Sequence, residues 1–176
     1  GAAALLTGAS SPFGGNTTAI GKNALAVAVN QEHCTAVGAY ALDAATSGNN
    51  NSALGSHALG STVDGADNTA VGYGALNADA GDDNTAVGSA ALTAFTGSNA
   101  TAVGSGAADS LVGGQQCTAI GKSALATNVS GNYNTAVGAG CLELATGTNN
   151  TAVGQGCAYG VTSGSDNTAM GYAALD

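Results

Sequence analysis

Residues 68–76 read "NTAVGYGAL" and residues 84–92 read "NTAVGSAAL". The phrase recurs along the whole chain, and an internal repeat decides the fold before any other reading does. With the glycine that closes Thr-Ala-Val-Gly as origin, it falls at Gly21, Gly38, Gly55, Gly72, Gly88, Gly104, Gly121, Gly138, Gly154 and Gly171, always 16 or 17 residues apart. A hydroxyl residue stands three places before each, Ala two before, and Val, Ile, Leu or Met one before. Three and four places after comes Ala-Leu or a close variant such as Cys141-Leu142. Eight places after stands a further column, mostly β-branched: Val29, Thr46, Val63, Thr96, Val112, Val129, Thr146 and Thr162. β-branched residues favour strands, and the Gly, Ser, Asn and Asp that follow favour turns.

Each repeat therefore predicts a short strand, a bend, a second short strand and a turn. A helix would carry a glycine at a fixed interior position, each costing about 1 kcal/mol. The expected fold is all-β: a parallel β-solenoid or β-roll of about ten coils, each stacked on the next. At a spacing of about 4.8 Å per coil the array makes a rod roughly 50 Å long. Residues 16–176 form this array. Residues 1–15 read as a partial repeat, with Gly1–Leu5 matching the half that follows the glycine, and an irregular loop containing Pro12, the one proline. Neither end has the atypical repeat that usually caps a solenoid, so the chain is expected to be a segment of a longer fibre.

Composition narrows the function classes. The 176 residues include 29 Gly and no Trp; only 7% are charged and the net charge is −9. Lys22 and Lys122 are the only Lys or Arg. Nucleic acids and anionic membranes are bound through clustered basic residues, so neither is an expected partner. No apolar run approaches the roughly 18 residues a membrane-spanning helix needs, and the N-terminal stretch lacks the basic segment of a secretion signal.

Side chains alternate across a strand. In Asn-Thr-Ala-Val, Asn and Ala point one way while Thr and Val point the other, so apolar columns occur on both faces of the coil wall. One face fills the coil; the other leaves a stripe larger than a monomer normally exposes. Packing copies around a common axis covers it, because equivalent coils then meet at the same height.

The phrase Asn-[Ser/Thr]-Ala-[Val/Ile]-Gly-x-x-Ala, repeated ten times, resembles the head repeats of trimeric autotransporter adhesins; similar arrays occur in phage tail-fibre proteins. The repeats here are longer than in the usual adhesin head. The resemblance implies a left-handed parallel β-roll assembled as a homotrimer. It also implies a structural and adhesive role on a cell surface or virion, with attachment to a host-surface glycan or protein receptor. Two other readings remain open: a subunit that adds end to end into an extracellular filament, and an ice-binding solenoid using the Thr column.

Site candidates come from the columns. Asn51, Asn68, Asn84, Asn134, Asn150 and Asn167 occupy the place before the hydroxyl residue, where stacked amides can form a structural ladder. Cys34 and Cys117 replace that Asn, and Cys141 and Cys157 replace the buried Ala one coil apart. The latter two are either small core thiols or a disulfide, since a one-coil separation permits a bridge. Asp64, Asp67, Asp79, Asp82 and Asp83 cluster in two outer turns. They read as solvated carboxylates, with Asp64, Asp67, Asp82 and Asp83 as the Ca²⁺ candidates because Ca²⁺ takes loop oxygens. Tyr40, Tyr73, Phe95, Tyr133, Tyr159 and Tyr172 are expected to be scattered packing or spacer residues. No nucleophile, base and orienting group share a pattern, so no enzyme and no cofactor are expected.

Overall fold

The fold is described from a computed structural model, over residues 5–8 and 15–176. Eleven short strands form one sheet in chain order: β1 Leu5–Gly8, β2 Thr17–Ile20, β3 Thr35–Val37, β4 Ser52–Leu54, β5 Thr69–Val71, β6 Thr85–Val87, β7 Thr101–Val103, β8 Thr118–Ile120, β9 Thr135–Val137, β10 Thr151–Val153 and β11 Thr168–Met170. From β2 onward every pairing is parallel and holds one register: hydroxyl on hydroxyl, Ala on Ala, branched or long apolar on its like. This is the expected β-solenoid, its column identity set by the repeat.

Two expectations need correction. β1 does not continue the parallel array; it runs antiparallel to β2, with Leu5 opposite Ile20 and Gly8 opposite Thr17. That strand covers the first parallel edge, in place of the uncapped N-terminal coil expected from the sequence. Residues 1–4 and 9–14, on which the rest of the partial-repeat and loop reading falls, lie outside the described residues.

The second correction concerns the coil itself. Each holds one strand of three or four residues, and the rest is turn and bend. The β-branched column after the outer segment still bonds from coil to coil, as Thr46 N–H donates to Val63 O at 2.8 Å and Thr96 N–H to Val112 O at 2.9 Å. It does so outside any strand, and each coil also places four residues at positive φ. In the coil around Gly88 these are Asp83 (60°), Gly88 (137°), Ala90 (59°) and Leu92 (51°), and the other coils repeat the set. The left-handed residues at and just after the glycine fold the chain through the corner that follows the strand.

The interior is made of small columns. Ala70, Ala86, Ala102 and Ala136 of the strands, Ala41, Ala58, Ala75 and Ala91 after the glycine, and Leu42, Leu59, Leu76, Leu92 and Leu142 are all fully buried. Each buried Leu contributes about 1.5–3 kcal/mol, and it does so only because the coils above and below close over it. Phe95, expected to be a packing or spacer residue, is a packing one and is fully buried. Its ring fills the space beside Gly97, where an added Cβ would lie 2.8 Å from Phe95 Cζ.

Candidate functional site

The strand burial pattern separates the two faces of the coil wall. Ala of each strand is buried while Thr and Val on either side are half-buried or exposed. Thr35, Ser52, Thr69, Thr85, Thr101, Thr118, Thr135, Thr151 and Thr168 thus line one outward column, with Val37, Leu54, Val71, Val87, Val103, Ile120, Val137, Val153 and Met170 beside it. Leu54 is 53% and Ile120 40% exposed. No position of either column carries a charge. All eleven acidic residues of the chain fall elsewhere in the repeat, on the outer turns and the segments leading into them. The side-chain hydrogen bonds of the described residues engage Thr46, Thr96, Thr127 and Thr146 of the outer segments. The strand hydroxyls face outward and are left to solvent or to a partner.

Behind this face, the Asn column is a ladder of a different kind from stacked amides. Asn68 Oδ1 accepts from Asn84 N–H at 2.9 Å while Asn68 Nδ2 donates to Gly81 O at 2.8 Å. Asn51, Asn84, Asn134 and Asn150 bridge to the backbone of the next coil in the same two ways. Only Asn167 donates to a neighbouring amide, at 2.9 Å to Asn150 Oδ1. Each amide thereby satisfies one N–H and one C=O that the coil buries, each worth about 1–3 kcal/mol if orphaned. Cys34 and Cys117 keep half of this, their thiols donating to Gly48 O at 3.3 Å and Gly131 O at 3.2 Å. Burial raises both thiol pKa values.

Cys141 and Cys157 are buried free thiols, not a disulfide. Cys141 Sγ donates to Ala152 O at 3.2 Å. Burial first, and the neighbouring Cys157 thiol in addition, push the Cys141 pKa up to about 11.

The acidic turns are tied to their own backbone. Asp79 Oδ1 accepts from Val63 N–H at 2.9 Å, Asp82 Oδ1 from Ala66 N–H at 2.8 Å, and Asp67 Oδ1 from Asn50 Nδ2 at 2.9 Å. Asp64, Asp79 and Asp82 border an open hollow of about 370 Å³ with Thr96. Among the described residues no three His, Cys, Asp or Glu side chains come together as a metal site, so Asp64, Asp67, Asp82 and Asp83 do not form a ligand set here. Asp67 and Asp82 instead tie one coil to the next through these hydrogen bonds.

The aromatic residues are not all scattered. Tyr40 and His57, in successive coils, stack with ring centroids 4.9 Å apart and planes 7° from parallel. His57 meets Tyr73 of the following coil at 6.3 Å and 80°. Lys22 Nζ sits 5.4 Å from the Tyr40 ring centroid, and its hydrogen bond with Tyr40 raises the Lys22 pKa. Lys22, Tyr40, His57 and Tyr73 thus form one strip on the corner just after the strand. Sequence reading missed it because Lys22 and Tyr73 stand one place after the glycine and Tyr40 and His57 two places after; only the turn brings both positions to one line. Tyr133, Tyr159 and Tyr172 remain separate and exposed.

Among the described residues no helix is long and apolar enough to cross a membrane. No family model matches the chain, and no curated protein or solved structure is significantly similar to it.

Proposed function

We propose that the chain is a structural and adhesive segment of a homotrimeric surface or tail fibre, extracellular or virion-borne, whose copies pack through the Thr and Val columns. The observation that carries this reading is the outward face itself. Ten strands at about 4.8 Å spacing make it a strip roughly 50 Å long and 10 Å wide, at the upper end of the apolar area a monomer leaves bare. Its partner must match a period of one coil, and another copy of the chain does so at every level. Charge supports the same arrangement. Three chains of net charge −9 can approach along this face because their carboxylates lie on other parts of the coil, where screening by salt and distance weakens their repulsion. The rod then holds its outer turns and corners away from the axis, toward a host-surface glycan or protein receptor.

Sedimentation equilibrium of the wild type and of the Val87→Lys/Val103→Lys double variant tests this. Both substituted side chains point outward, so the coil stays folded by circular dichroism. The expected wild-type result is three times the chain mass at every concentration, and the double variant should sediment as a monomer. A folded wild-type monomer would overturn the reading. It would favour the second use the free hydroxyls support, ordering of water as an ice-binding face, for which thermal hysteresis is the measurement.

A further inference from the structure

We propose that the corner strip of Lys22, Tyr40, His57 and Tyr73 is a saccharide-binding site, with the Tyr73 ring as the stacking platform for a neutral pyranose. The inference names a ligand class for the attachment that the fibre reading implies and, as an adhesive site, rests on that reading.

The strip breaks the symmetry of the array. The same corner carries Ser89 and Ala90 in the next coil, then Ser105 and Gly106, Lys122 and Ser123, and Ala139 and Gly140. Large side chains occupy it in four successive coils only at Lys22–Tyr73, over a span of roughly 15 Å at the coil spacing. A repeat that needs nothing but stacking has no use for this departure.

The geometry assigns different tasks within the strip. Tyr40 and His57 cover each other's faces, so they act as a rigid post. Tyr73 is turned nearly perpendicular to His57 and is 66% exposed. The small Ser89 and Ala90 leave a step beside it. An aromatic face is electron-rich and attracts the polarised C–H groups of a pyranose ring. The Tyr40 hydroxyl, the His57 imidazole and the Lys22 ammonium lie along the direction in which a sugar chain would continue, and each can hydrogen-bond to a hydroxyl. A single exposed ring face flanked by a few polar groups suits a small polyhydroxylated ligand, and it lacks the apolar area a peptide anchor would need. The ligand class is neutral because the chain carries −9 overall, which repels polyanions.

The test is a printed array of neutral and uronic-acid oligosaccharides probed with wild type, Tyr73→Ala and Tyr172→Ala. Tyr172 is the matched control: it occupies the same place after its glycine and is 81% exposed, but the coil before it offers only Gln155 and Gly156. Wild type and Tyr172→Ala should retain neutral saccharides equally and independently of salt, with binding by Tyr73→Ala reduced at least about tenfold and Tyr73→Trp restoring it. Circular dichroism confirms that each variant is folded. Absence of any neutral ligand, equal binding by Tyr73→Ala, or a preference for uronic acids would each overturn the proposal. Sedimentation of the same samples keeps the two readings apart. A trimer that binds no sugar refutes this site alone, and a monomer that binds through Tyr73 refutes the fibre while the site stands.

Discussion

At residue scale, the same amino acid holds quite different positions in one coil. Gly88 has φ 137°, and a Cβ built on it would lie 2.5 Å from Gly104 O of the next coil. Gly74, two places after its repeat glycine, has φ 61° and nothing within 4 Å of an added Cβ, and other coils place Ala90 or Ala173 there. Gly88→Ala should therefore cost at least about 3 kcal/mol in urea unfolding, since both the backbone region and the neighbouring strand reject it. Gly74→Ala should cost only the left-handed backbone term, about 1–2 kcal/mol; equal effects would refute this distinction. The buried Leu column adds a subtler constraint. Leu42, Leu59, Leu76, Leu92 and Leu142 hold φ between 49° and 51°, a region that β-branched side chains occupy poorly. The column accordingly contains Leu and Ala and no Val or Ile, while the outward column one place before the glycine is rich in Val.

At the scale of the coil, the period and the strand were legible, because Thr-Ala-Val-Gly recurs with one register and alternation assigns its inside and outside. The second strand was misread. Its β-branched column has the right composition and even the right coil-to-coil bonds, but a neighbour such as Phe95 turns its N–H back to Leu92 O of its own coil, so no ladder extends from it. The Asn column was legible as a ladder but not in its bonding, since composition does not tell an amide partner from a backbone one. Asn84 shows what the ladder does: its amide donates to Gly97 O at 3.0 Å and accepts from Ala100 N–H at 2.9 Å. Asn84→Ala should destabilise by about 2–4 kcal/mol because both backbone groups lose their partners. Asn84→Cys should cost roughly half as much, since Cys34 and Cys117 keep the donor half of the pattern. Chemical denaturation measures both, and an Ala variant within about 0.5 kcal/mol of wild type would deny the column its structural role.

At the scale of the whole molecule, stability is close to a sum over coils and the contacts between adjacent ones. Excising residues 89–104 joins Gly88 to Ser105 and keeps every column in phase. Such a chain should fold with an unchanged circular dichroism spectrum and one coil fewer. Excising residues 89–96 removes half a coil, brings Thr101-Ala102-Val103 out of phase, and should split or abolish the cooperative melt. If both deletions behaved alike, the stack would not be the unit of stability. The aromatic corner strip could be recognised only at this scale, because its four members come from four coils and from two repeat positions.

Phe95 has a wider consequence. A chain of near-identical units offers each coil several almost equivalent neighbours, so skipping a turn would cost little if all turns were the same. Phe95 fills the space over Gly97, and Cys34 and Cys117 interrupt the amide column at their own levels. Each of these irregularities suits one neighbour better than any other. They act as addresses, giving an otherwise monotonous polymer a unique order, and a perfectly regular version of this protein would be the one most prone to assemble itself wrongly.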